Sequence, residues 1–164
     1  MDLDDFATRF RPDIRAQLDW SLLRETRAHV RVETLAQDAA KRRLATLRTV
    51  WYSDSTGADS RWNAPGSRPL CVGGADRTLP SWPDSRRHTV SALARRFAAS
   101  ADPVQLTLPA YRVGGDCHVL LDGNHRAVAA HQAGVEVRLT LCSLSGPVCE
   151  NVLPDLRHYA APSP

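Results

Sequence analysis

The segment Leu120-Leu121-Asp122-Gly123-Asn124-His125-Arg126-Ala127-Val128-Ala129-Ala130 gathers residue types that handle anions. Its apolar start reads as a buried strand ending at Asp122, and a helix follows at once. The first turn of such a helix has backbone N–H groups without intrahelical acceptors and the positive end of the dipole. That makes it a ready anion site. Gly123 leaves room for a ligand to approach the backbone. His125 and Arg126 lie in the first turn and add donors to the same anion; an arginine there can grip two phosphate oxygens. Asp122 can cap the helix, or orient a hydroxyl or a metal ion beside the phosphates. The same residues also read as an exposed, capped helix with incidental polar groups, and their chemistry alone leaves both readings open.

The elements that must position this loop are read from periodicity. His88 to Ser100 is expected to be an amphipathic helix with Val90, Leu93, Ala94 and Phe97 on one face. Val104, Leu106, Leu108 and Ala110 alternate with Gln105 and Thr107, as in a half-buried strand. Gly114-Gly115-Asp116 supplies a hairpin turn, and Cys117 to Leu121 is the next strand. A helix from Asn124 to Ala133 ends at Gly134, the residue suited to a left-handed cap. Val135 to Leu141 alternates again and gives a third strand. Upstream, Pro12 opens an expected helix with Ile14, Leu18 and Leu22 on one stripe. His29 to Leu35 reads as a short strand, and Ala36 to Tyr52 as a second helix carrying Leu44, Leu47 and Trp51. The chain thus divides into a helical N-terminal extension (1–53) packing on the core, a Trp-containing loop or lid (54–87), a core (88–144) and an irregular tail (145–164). Two tryptophans, Trp62 and Trp82, fall in the second part. They argue against simple disorder there, and a loop of that length reads either as a lid or as a packed surface loop.

The segment Asp122-Gly123-Asn124-His125-Arg126-Ala127 and Ala130 resembles the Asp-Gly-x-His-Arg-x-x-Ala signature of the ParB/sulfiredoxin-like superfamily. The neighbouring helix, strand pair and final strand agree, so the resemblance covers roughly residues 88 to 144. It implies an α+β fold, a ParB/sulfiredoxin-like domain with an N-terminal helical extension. Sulfiredoxins carry a reactive cysteine just before the His-Arg pair; here that position is Asn124, so cysteine repair is not expected. ParB proteins carry a helix-turn-helix after the nucleotide domain. About twenty residues follow the last expected strand, so DNA is not expected as a partner. Free-serine kinases of this fold carry Asp-Gly-His-His-Arg, one residue away from the present loop.

What the kinase branch implies is phosphoryl transfer from a nucleotide, ATP or ADP with Mg2+, to a small hydroxyl-bearing, amino-acid-like metabolite. Gly123, Asn124, His125 and Arg126 would hold the nucleotide phosphates. Asp122 and His125 would act in catalysis, and Asp122 alone as a metal ligand. A glutamate from the N-terminal part takes the proton in those kinases, and Glu33 is the matching candidate here. Arg86, Arg87 and His88 lead into the preceding helix toward the same pocket. His118 reads as structural and His131 as solvated. Two other classes stay open: a nucleotide-independent biosynthetic enzyme using the same pocket, and a nucleotide- or DNA-binding regulator without turnover.

Composition sets outer bounds. The 164 residues, 43% hydrophobic and 24% charged, suit one ordinary globular domain. A formal charge of +3 fits an anionic ligand but does not by itself argue for nucleic acid. Lys41 is the only lysine, and a GC-rich coding bias explains the arginine excess as well as phosphate binding does. No apolar stretch is long enough to span a bilayer, and Met1-Asp2-Leu3-Asp4-Asp5 is unlike the basic start of a secretory signal. A cytoplasmic location is expected, with no membrane partner. Cys71, Cys117, Cys142 and Cys149 form no CxxC pair and are expected to be free thiols.

Overall fold

Alternating apolar residues put the longest strands at the centre of the molecule. The computed structural model describes residues 1–14 and 17–160. In chain order these form α1 (Leu3–Phe10), α2 (Trp20–Glu25), β1 (His29–Ala36), α3 (Gln37–Thr46), β2 (Arg48–Ser53), β3 (Asp59–Ser60), β4 (Arg68–Cys71) and a 3₁₀ helix (Val72–Ser81). Then follow α4 (Asp84–Ala98), β5 (Val104–Gly114), β6 (Cys117–Leu120), α5 (Asn124–Ala133), β7 (Val137–Ser145) and a second 3₁₀ helix (Pro154–His158). The architecture is mixed α and β around a seven-stranded mixed sheet in the order β1-β7-β5-β6-β2-β3, with β4 also paired to β2. No helix among the described residues is long and apolar enough to cross a membrane.

The sheet is buried on both faces, and side-chain alternation decides which residue serves which face. Leu106, Leu108, Leu139 and Leu141 point to one side and meet Ala40 and Leu44 of α3, Val90 of α4 and Ala127–Ala130 of α5. Tyr111, Cys142 and Leu144, at the opposite parity, meet Phe6 and Phe10 of α1, Leu23 of α2, and Leu156 of the second 3₁₀ helix. The parallel pair β5–β7 carries both sets, with Leu106 opposite Leu139 and Tyr111 opposite Leu144. α5 is buried at Ala127, Val128, Ala129 and Ala130. Its small residues let it lie between the sheet, α4 and the first 3₁₀ helix.

β1, the β5–β6 hairpin, α5 and β7 form close to where periodicity places them, and Gly134 caps α5 at φ 63°. Several elements differ. The expected helix from Pro12 is instead α1, started by Asp2, whose side chain accepts the Asp5 amide at 2.8 Å. The chain turns at 11–13, and α2 starts afresh behind Asp19, which accepts the Leu22 amide at 2.9 Å. Arg15 and Ala16, inside the expected helix, lie outside the described residues. Local caps override the four-residue spacing of Ile14, Leu18 and Leu22.

The helix expected over 36–52 stops at Thr46. Leu47 turns to the extended conformation, and Thr49-Val50-Trp51-Tyr52, β-branched and aromatic, forms β2. Residues 1–53 are therefore not only helical; they supply two strands of the sheet. The stretch 54–87 contributes β3, β4 and the 3₁₀ helix, and buries Trp82 while leaving Trp62 39% exposed. α4 begins at Asp84, four residues before the expected start. The described part of the tail, up to residue 160, is packed: Val152, Leu153 and Leu156 are buried around the second 3₁₀ helix.

Candidate functional site

β6 ends at Leu120, Leu121 still donates its amide to Pro109 at 2.9 Å, and the chain then turns at Asp122 and Gly123 into α5. Gly123 has φ 81°. The first i→i−4 bond of α5 runs from the Ala127 amide to the Gly123 carbonyl at 2.8 Å. The first-turn N–H groups ahead of it have no acceptor within the helix, the feature that an anion site at a helix start uses. The glycine serves the core side of this turn. A Cβ on Gly123 would overlap Leu108 Cδ2 and come 3.2 Å from an Arg126 guanidinium nitrogen. Left-handed strain of about 1–2 kcal/mol and overpacking of about 1–3 kcal/mol add. Gly123→Ala is thus expected to lower stability by about 2–5 kcal/mol, read from the urea midpoint at unchanged slope.

Each loop side chain has a partner. Asp122 Oδ2 accepts from Arg126 at 2.9 Å, so the carboxylate holds the guanidinium beside the first turn and does not cap the helix. Both groups stay partly exposed, at 33% and 45%, so the pair orients more than it stabilises. Asn124 is buried, and its Oδ1 accepts the Val50 amide at 3.0 Å. That bond ties β2 to the start of α5. The His125 ring stands edge-on to Trp51 at 5.1 Å. Trp51 in turn meets Trp82 edge-on at 5.1 Å and carries the Arg86 guanidinium 4.7 Å above its ring. Arg86 is anchored by an ion pair to Asp59. Arg86 thus reaches the site through Trp51, whereas Arg87 pairs with Asp84 and His88 is exposed.

The loop opens onto a cleft of about 1110 Å³. Asp122–Arg126, Val50 and Trp51 form one wall. Pro12, Asp13 and Gln17, Trp62, and Leu153–Asp155 form the others. Asp155 is half-buried, and burial pushes its carboxyl above the ordinary carboxylate range, against the opposing pull of the neighbouring Tyr52 hydroxyl, His158 and Arg157. The buried Tyr52 hydroxyl beside it completes no hydrogen bond of good geometry among the described residues. Burial, first, and then the Asp155 charge hold that phenol protonated, far above its usual range. Asp155 had no pattern to announce it, because the tail lacks a long period, whereas Trp62 lies in the stretch read as a lid or packed loop.

Glu33 does not join this cleft. It lines a second, smaller one of about 250 Å³ with Arg43, Arg112 and His118. β1 is an edge strand with β7, β5 and β6 between it and β2, and Glu33 faces α3, where Arg43 approaches it at 3.7 Å. His118 is buried there; desolvation lowers its pKa, and its Nδ1 lies 2.9 Å from the Asp116 carbonyl. His131 is half-buried rather than solvated and packs under Gly73 of the first 3₁₀ helix. The four cysteines are free thiols.

The cleft therefore combines an amide-lined helix start, a fixed guanidinium, an imidazole against an indole, and a carboxylate of raised pKa. Such a set has the chemistry to bind a phosphate group and to take a proton from a group placed near Asp155. Compared with family models, with characterised proteins and with solved structures, the chain matches none.

Proposed function

We propose that this chain is a cytoplasmic ParB/sulfiredoxin-like enzyme that transfers a phosphoryl group from ATP or ADP to a small hydroxyl-bearing, amino-acid-like metabolite. The observation that carries the reading is the α5 start, with Arg126 fixed beside it, opening onto a cleft large enough for a nucleotide and a small acceptor. Phosphoryl transfer asks chiefly for positioning and charge neutralisation. The first-turn amides and Arg126 hold the phosphates, and His125, braced by Trp51, adds a donor from the same turn. Asp155 accepts the proton of the attacking hydroxyl, the role that the family resemblance had given to Glu33.

A Mg2+ ion, where bound, would neutralise developing charge on the phosphate oxygens. The donor set suits an ion that arrives with the nucleotide. Among the described residues no group of three or more His, Cys, Asp or Glu side chains is arranged to hold a metal. Mg2+ needs only one or two carboxylates when phosphates and water fill its other positions, and Asp122 stands next to the anion site.

Arg126→Ala is expected to weaken nucleotide and phosphate binding by about 1.5–3 kcal/mol, the scale of a charge-assisted hydrogen bond. Isothermal titration with ADP and ATP checks this; wild-type affinity in the variant would place the phosphates elsewhere. The function itself is tested by single turnover with γ- or β-labelled nucleotide and a pool of hydroxyl-bearing amino acids. Label moving to a small molecule, and lost in His125→Ala, supports it. Nucleotide binding without transfer would favour a regulator, and no nucleotide binding a nucleotide-independent biosynthetic enzyme.

A further inference from the structure

An anion loop grips inorganic phosphates as readily as nucleotides. Selecting a nucleotide requires a surface for its base, and the cleft walls contain two indoles, Trp51 and Trp62. Trp51 is committed: it is 7% exposed, with Arg86 over its ring and Trp82 and His125 at its sides. Trp62 is different. It is 39% exposed, although indoles are normally covered.

Trp62 is nevertheless firmly held. Its backbone carbonyl accepts from Ser67 Oγ at 3.0 Å and meets His158 Nε2 at 2.8 Å. The Arg157 guanidinium lies 4.8 Å from the ring centroid, over the ring. An arginine on one face of an exposed indole leaves the other face for a planar partner. It also makes a three-layer stack of cation, indole and base favourable. The 3₁₀ helix that supplies Arg157 and His158 also supplies Asp155, so one short element sets both the stacking surface and the carboxylate.

We propose that Trp62, backed by Arg157, is the platform on which the base of a nucleoside di- or triphosphate stacks while its phosphates sit on the Asp122–Arg126 loop. This rests on the phosphate-loop reading above. Stacking on an aromatic side chain is sequence-tolerant, so the platform selects nucleotides over inorganic phosphates more than one base over another.

The test compares ADP with inorganic pyrophosphate by calorimetry, at fixed Mg2+, in the full chain and in Trp62→Ala, Trp62→Phe and Arg126→Ala. The wild type should bind ADP about tenfold or more tighter than pyrophosphate, the range of one base stacked on an aromatic ring. Trp62→Ala should reduce ADP to the pyrophosphate level while leaving pyrophosphate affinity unchanged, which also shows that the variant is folded. Trp62→Phe should keep most of the preference, and Arg126→Ala should weaken both ligands. Equal affinity for the two ligands in the wild type, or a preference that survives Trp62→Ala, overturns the platform and leaves the phosphate loop standing. Binding of neither ligand, or pyrophosphate binding insensitive to Arg126→Ala, overturns the loop and the platform with it.

Discussion

A chain beginning at Arg86 is expected to lose the native state altogether, appearing as aggregate or as a molten species without sharp near-UV dichroism. The shortened chain keeps α4, β5, β6, α5 and β7, which are the elements of the family resemblance. It loses β1, which covers one edge of β7 through eight paired residues, and β2, which stands beside β6. The β7 edge so exposed is long and half apolar, a template for wrong pairing. Both faces of the sheet lose cover as well, one the side chains of α1 and α2 and the other those of α3 and Leu47. Phe6, Leu23 and Leu47 are fully buried in the intact chain, and Phe10 and Leu44 nearly so. Each such side chain contributes about 1.5–3 kcal/mol by burial. Losing five exceeds the few kcal/mol that a core of about 80 residues supplies. The Val50 amide that holds Asn124 would be gone too, so the start of α5 would lose its tether. A shortened chain with native-like near-UV dichroism and a two-state melt would show that residues 1–85 are a separable addition.

That dependence was only half legible in the sequence. Val104 to Ala110 and Val137 to Leu141 announce strands because alternation is local and long. Asn124 to Ala133 announces a helix because an Asp-Gly turn precedes it and Gly134 follows. The anion loop could be read for the same reason: its geometry follows from one strand ending where one helix begins. β2 could not. Leu44, Leu47 and Trp51 happen to fall at helical spacing, and what makes Thr49–Tyr52 a strand is pairing with β4, β3 and β6, up to about 70 residues away. Gly123 was read as leaving room for a ligand, and the structure adds a second demand that the sequence did not announce, close contact with Leu108 on β5. Which carboxylate shares the cleft with the loop was hidden for a related reason. Glu33 was chosen for its position along the chain, but strand order sets it at the far edge of the sheet. Asp155 enters the cleft only because Val152, Leu153 and Leu156 pin the tail beneath it.

Asp155→Asn is expected to slow phosphoryl transfer by about 10²–10⁴-fold, the usual share of a general base. Nucleotide affinity should change little, since the α5 amides and Arg126 are the groups proposed to hold the phosphates. Glu33→Gln should stay within about twofold of the wild-type rate, which separates the two carboxylates directly. The pH profile provides an independent reading. A base acts deprotonated, so the rate falls as pH drops through its pKa. Burial raises the Asp155 carboxyl, so this acid limb should lie above the ordinary carboxylate range and vanish in Asp155→Asn. Stability carries the opposite sign. With the folded-state pKa above the unfolded one, the folded chain binds more protons in the interval between them. Stability therefore falls as pH rises through that interval. Asp155→Asn removes this dependence and should leave the protein at least as stable as wild type at neutral pH. A slow, well-folded variant with a flattened acid limb is the expected result. A variant with wild-type single-turnover rates at every pH would remove Asp155 from the chemistry.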